Sequence, residues 1–235
     1  GGEGNDTITA GTGADSLYGD AGDDVINAST GNDTVYGGEG NDTLNADDDT
    51  YYQDAAYADT LVGGKGNDTL KGGAGNDTYV FNRGDGADTI YDYDRRSTDY
   101  GYYNAGNDTI RFGEGIGAGD VALKVSGSNL ILALKEEGKT FEELSDTITI
   151  TNWYNAYNRI ENITFADGTV LNTSNTILAL AASEGDDTII GTEQVLSLDA
   201  KEGNDIIIAS NAAANNLHGG EGNDTITAGT GADSL

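Results

Sequence analysis

Cysteine, methionine and proline are absent from these 235 residues, and there are only 11 lysines and arginines against 41 aspartates and glutamates. Without cysteine there is no disulfide and no thiolate metal site, so stability must come from elsewhere, and bound metal is the obvious substitute. The single histidine, His218, leaves no histidine cluster for zinc or copper. Neither HExxH nor GxSxG occurs, so the chain reads as no enzyme. No apolar run reaches the ~18 residues of a transmembrane helix, and no amino-terminal signal peptide is visible. The lack of an initiator methionine reads as a processed or excised chain. A net charge of −30 makes nucleic acid and anionic membrane poor partners.

What the chain has instead is glycine, 36 of them, in a repeat. From Gly1 to Asn45 one nine-residue unit runs five times without a gap: GGEGNDTIT, AGTGADSLY, GDAGDDVIN, ASTGNDTVY, GGEGNDTLN. Each has glycine at the fourth place, an aspartate at the sixth (Asp6, Asp15, Asp24, Asp33, Asp42) and an aliphatic residue at the eighth (Ile8, Leu17, Ile26, Val35, Leu44). Such self-similarity marks a solenoid. Glycines let the first six residues turn sharply and bring carbonyls inward, and the aspartate adds a carboxylate at the end of the turn. These hard oxygens suit Ca²⁺. The last three residues form a short strand that alternates its sides, so the eighth side chain points one way and its neighbours the other.

One unit is then half a coil. Two consecutive units make a full coil, with two parallel sheets facing each other over a thin aliphatic core. Turns two units apart stack, which predicts calcium between Asp6 and Asp24, Asp24 and Asp42, and Asp15 and Asp33. Asp24 would serve two such sites, so losing it should matter more than losing Asp108.

The repeat resembles the RTX (repeats-in-toxin) calcium-binding family of secreted bacterial proteins. The resemblance implies a parallel β-roll, several Ca²⁺ ions, folding that depends on calcium outside the cell, and export by type I secretion. The fold expected is all-β: a parallel β-roll solenoid, two nonapeptides per coil, interrupted by an antiparallel β insertion domain.

Three regions are expected. Residues 1–80 form a first roll with a tyrosine-rich loop at 46–58 (Tyr51, Tyr52, Tyr57), read as replacing one turn and serving either contact or packing. Asp59 follows Asp42 at one place short of two full units, and parity assigns it to the side of Asp6, Asp24 and Asp42. Asp68 and Asp77 return to frame, with Asp77 stacked on Asp59. Residues 81–172 resemble the haemolysin-type calcium-binding-related domain through YVFNRGDGADTI, GNDTIRFGEGI and NWYNAYNRIENITFADGTV. Strands are expected at Val121–Val125, Leu130–Leu134 and Thr147–Thr151, with a second hairpin about Asp167-Gly168. Lys135–Leu144 reads as a loop or short helical turn, and Trp153 as a core anchor. Asp88 and Asp108 keep the DTI context of a metal turn. Residues 173–235 form a second roll, after a helix or strand at 173–183, with Asp187, Asp205, Asp224 and Asp233 as ligands. Asn215 stands where an aspartate belongs, and His218 reads as a surface turn residue.

Residues 219–235 are identical to residues 1–17. This implies either a second, longer period, given by the offset of Gly219 from Gly1, or an accident of where the chain is cut. The first alternative makes the chain an extracellular structural unit of a tandem array: a stalk, filament, surface layer or adhesin on the bacterial cell surface. Self-association, with cell-surface or carbohydrate contact, is the partner class expected. The second makes it the carboxy-terminal calcium-binding region of a secreted toxin or hydrolase.

Overall fold

The computed structural model describes residues 1–47, 57–92, 106–126, 128–153, 158–172, 188–190, 197–209 and 215–235. Strands are numbered along the chain, and the first eleven lie alternately in two sheets. The first sheet orders β1 (Gly2–Glu3), β3 (Ser16–Ala21), β5 (Thr34–Glu39), β7 (Thr60–Lys65), β9 (Thr78–Phe81), β11 (Thr109–Phe112), β15 (Asn162–Thr164) and β16 (Val170–Asn172). The second orders β2 (Thr7–Thr9), β4 (Val25–Ser29), β6 (Thr43–Asp47), β8 (Thr69–Lys71), β10 (Ala87–Ile90), β14 (Thr147–Ile150), β13 (Asn129–Leu134) and β12 (Val121–Ser126). Neighbours are parallel throughout the repeats, as a solenoid of half-coils requires.

The register stacks like on like. Leu17, Val35, Leu61, Tyr79, Ile110 and Ile163 face one another in the first sheet. Ile8, Ile26, Leu44, Leu70, Ile90 and Ile150 do so in the second. From the second coil on, these columns are buried and form the core. One-residue slippage would turn every core side chain outward, so burial enforces the register. On the outer face Tyr18 and Tyr36 stack with centroids 4.8 Å apart, the strand spacing of a sheet.

Asp59 departs from the parity expected of it. β7 pairs with β5, and β8 with β6, each across 26 residues. Asp59 therefore sits above Asp33 and below Asp77, on the side of Asp15. No ladder place is missing between Asp33 and Asp59, which stack directly; the longer interval between β6 and β7 shifts the residue count without shifting the pairing. Tyr51 and Tyr52 lie outside the described residues.

The middle region adds antiparallel strands to the same two sheets. β12 and β13 pair antiparallel with Ser126 facing Asn129, and β13 pairs antiparallel with β14, which lies parallel to β10. β16 turns back on β15 at the Asp167-Gly168 hairpin. Phe112 packs edge-on to Phe81 and stacks on Phe165, widening the core there. A short 3₁₀ turn, Phe141–Glu143, occupies the charged stretch, capped where Thr140 N–H donates to Glu143. Trp153 is fully buried, as a core anchor must be.

In the second roll, β17 (Thr188–Ile190), β19 (Ile206–Ile208) and β21 (Thr225–Thr227) form one parallel sheet, and β18 (Ser197–Asp199) and β20 (Asn216–His218) another. His218 is a strand residue, not a turn residue, with Nδ1 3.3 Å from Asp199. Asp187 and the stretch 173–183 lie outside the described residues.

Candidate metal-binding turn ladders

Each turn is built so that its last residue reaches the turn of the next coil. Fourth-place glycines permit the bend: Gly22 has φ +125°, and a Cβ there would lie 2.4 Å from the Gly4 carbonyl oxygen. The sixth-place aspartate then stands one coil from its counterparts, and its Oδ1 accepts the backbone N–H of the aspartate one coil earlier. On one side Asp6 N–H donates to Asp24 at 2.7 Å, Asp24 to Asp42 at 2.8 Å, Asp42 to Asp68 at 2.8 Å and Asp68 to Asp88 at 3.0 Å. On the other, Asp15 donates to Asp33 at 2.8 Å, Asp33 to Asp59 at 2.7 Å, Asp59 to Asp77 at 2.9 Å and Asp77 to Asp108 at 2.8 Å. Asp108 N–H continues to Glu161 Oε2 at 2.8 Å. In the second roll Asp205 donates to Asp224 at 3.0 Å, and Asn215 to Asp233 at 2.8 Å.

From the second coil on, one oxygen of each ladder carboxylate is thereby used. The other, Oδ2, is buried without a hydrogen-bond partner in Asp6, Asp24, Asp33, Asp42, Asp59, Asp68, Asp77 and Asp88. Such an arrangement is costly for a charged group unless something positive meets it. Glycine keeps the space beside that oxygen clear. A Cβ at Gly19, Gly37, Gly63 or Gly72 would lie 2.3 Å from Oδ2 of the aspartate five places on. Carboxylate and backbone oxygens without nitrogen or sulfur are the donor set of calcium, and these turns fit it.

The electrostatics agree. Burial pushes Asp59 and Asp68 up to about 7, and Asp77 and Asp88 up to about 8, against a partial lowering by the N–H each accepts. Asp33 and Asp42 are raised for the same reason, and stacked neighbours add repulsion. Asp108 rises through burial and then through the charge of Asp92. Without a cation, Asp77 and Asp88 favour the proton-bearing form at neutral pH.

Of the aspartates expected from the repeat, all that are described occupy ladder positions. Asp108 is as deeply stacked as Asp24, between Asp77 and Glu161, so the lesser role expected of it does not follow from its surroundings. Asp47 accepts Ala74 N–H at 2.8 Å. The nonapeptide pattern does not by itself single out two further acids. Glu161 stands two places before the core residue Ile163, as each aspartate precedes its own, and the ENI triplet carried that signal. Asp92 stands four places after Asp88, the first place of the next unit, where the other turns have Ala10, Ala28, Ala46 and Gly72. A third, Asp146 of DTI, shares the motif but is out of register: β14 faces β10 with Thr147 opposite Ala87, and Asp146 accepts Gly84 N–H instead.

Fold and site thus define a parallel solenoid with stacked acidic turns. The RTX calcium-binding nonapeptide repeat family matches residues 1–35, 22–51, 55–90 and 210–235, and the haemolysin-type calcium binding protein related domain matches 129–175. The chain is a calcium-binding RTX repeat protein with that related domain in its middle. Among curated proteins, iron-regulated protein FrpA of Neisseria meningitidis serogroup C is 39% identical over 118 residues, which are 48% of this chain and 9% of that protein. The chain therefore spans a small fraction of that relative. Among solved structures, the AlgE6R3 subunit of the Azotobacter vinelandii mannuronan C5-epimerase aligns at 24% identity and a TM-score of 0.33, over 71% of this chain and 81% of that one.

Proposed function

We propose that this chain is a structural unit of a tandem extracellular array, folded and stiffened by calcium after secretion. It acts by binding and bearing load and not by catalysis. The ligands are the ladder aspartates Asp6, Asp15, Asp24, Asp33, Asp42, Asp59, Asp68, Asp77, Asp88 and Asp108 in the first roll and Asp205, Asp224 and Asp233 in the second, with Asp187 a further ligand by its motif. One ion lies between each stacked pair. Inside the cell the acidic turns repel and the chain stays extended and exportable. Outside, millimolar calcium exceeds the roughly 10⁻⁴–10⁻³ M affinities of extracellular modules, and binding only the folded state stabilises it by mass action.

One observation carries the array. The identical segments 1–17 and 219–235 contain β2 and β21, both Thr-Ile-Thr. β2 pairs with the coil that follows it, β4, and β21 pairs with the coil before it, β19. The same strand thus has a competent edge on each side. Merging the two copies continues the roll from one unit into the next, so the partner is a further copy of the unit itself.

The test joins two copies of the segment Gly1–His218 in one chain and measures its length in calcium by small-angle scattering. A single rod of doubled length is expected; two freely jointed particles would remove the array. That result would favour the other reading, a carboxy-terminal calcium-binding region of a secreted toxin or hydrolase, which uses the same ladders but has no need of the long period.

A further inference from the structure

We infer that Asp77, Asp92 and Asp108 form a divalent-cation centre of a second kind, sealed in the core where the roll passes into the antiparallel strands. One carboxylate oxygen from each of the three lies within 4.8 Å of the other two. Asp77 and Asp108 belong to the repeat ladder, but Asp92 does not. It occupies the first place of its unit, in the column of Ala28 and Ala46, which are fully buried, so this place faces inward. A carboxylate has been set where other coils have a methyl group or nothing.

Neighbouring residues are shaped to hold it there. Tyr79 fills a core place occupied in the other coils by Leu17, Val35 and Leu61. Its hydroxyl donates to Asp92 Oδ1 at 2.7 Å and accepts Gly72 N–H at 2.9 Å. Gly72 makes room for this: a Cβ there would lie 2.3 Å from Asp77 Oδ2 and 2.4 Å from the Tyr79 hydroxyl. The two groups converge on one point.

A second observation points to a cation. Asp77 is 1% exposed, its Oδ1 accepts the Asp59 N–H, and its Oδ2 is buried with no hydrogen-bond partner. Asp108 Oδ1 accepts the Asp77 N–H. Asp92 and Asp108 are each 3% exposed, so water cannot screen the three charges. With only carboxylates in the cluster and a phenol beside it, the ion is a hard one of the calcium type. Elsewhere in the roll two stacked carboxylates share a site; here a third closes it, and burial makes release slow.

This inference rests on calcium binding by the ladders and not on the tandem array. The full chain is saturated with calcium, passed over a chelating resin, and its retained ions are counted by native mass spectrometry. Asp92→Asn should retain one ion fewer than the unsubstituted chain, with its β circular dichroism in calcium unchanged. Tyr79→Phe should keep the ion but release it roughly tenfold faster, the loss expected when a group orienting a ligand is removed. Equal counts and equal release rates in Asp92→Asn and the unsubstituted chain would overturn the proposal and leave a proton shared within the trio. No ion retained on any chain would also overturn the sealed centre, whereas no ion bound before the resin would overturn the ladder reading itself. Should Asp92→Asn fail to fold, terbium replaces calcium: the last-released fraction should be excited through Tyr79. A slow emission component that survives Tyr79→Phe would sink the site.

Discussion

At the scale of the residue, the repeat is a device for leaving one carboxylate oxygen unsatisfied in the same place, coil after coil. Oδ1 is consumed by the N–H of the preceding aspartate, which fixes the side chain, and Oδ2 is thereby held for a cation. Two consequences are testable. Gly37→Ala forces a methyl against Asp42 Oδ2 and against the Gly63 carbonyl oxygen, 2.5 Å away. It should destabilise the calcium-bound fold by about 1–3 kcal/mol, the usual cost of overpacking. Gly11→Ala meets nothing within 4 Å and should be close to neutral, as thermal unfolding in calcium would show. Asp42→Ala removes the acceptor of the Asp24 N–H as well as a ligand. The orphaned donor alone costs about 1–3 kcal/mol, and the calcium concentration at half-folding should rise well above that of Gly11→Ala.

At the scale of the element, strands of two to six residues cannot hold themselves together, and pairing with neighbouring coils supplies what length does not. The long half-coil shows how little the connection matters. β5–β7 and β6–β8 keep the same register as β3–β5 and β4–β6 despite the longer interval. Deleting residues 48–55 together with Tyr57→Gly restores a repeat-length turn. Calcium-dependent melting should shift by no more than roughly 1 kcal/mol, since loop closure depends only weakly on length. A collapse of the melting transition would mean that this loop holds the coils in place. The slipped register of β14 is the counterexample: its DTI triplet is intact, yet pairing with the antiparallel β13 on its other side displaces Asp146 from the ladder.

At the scale of the whole molecule, charge decides. The ladder carboxylates have folded-state values raised by burial, to about 7 for Asp59 and Asp68 and about 8 for Asp77 and Asp88. An unfolded aspartate titrates near 3.9. The metal-free folded state therefore binds more protons than the unfolded state between roughly pH 4 and pH 8, and its stability falls as pH rises through that window. After allowance for residual solvent screening, Asp77 and Asp88 each destabilise the metal-free fold by roughly 4 kcal/mol at pH 8. A chelated sample should be unfolded at pH 8 and regain β circular dichroism on acidification toward pH 5. With calcium the carboxylates are ionised in both states across the window, so the calcium midpoint should stay flat between pH 6 and pH 8. A chelated chain that is equally folded at pH 8 and pH 5 would show that the ladders need no cation.

Much of this was readable from nine-residue periodicity. Glycine at the fourth place, acid at the sixth and an aliphatic residue at the eighth dictate turn, ligand and strand through local chemistry, and their repetition dictates stacking, because a half-coil cannot bury its apolar side alone. The side on which Asp59 falls, the displacement of Asp146 and the meeting of Asp77, Asp92 and Asp108 needed the assembled coils. Each depends on which strands become neighbours after a loop or an antiparallel strand has intervened, and pairing across such interruptions is settled by burial of the core columns, which counting residues along the chain does not sense.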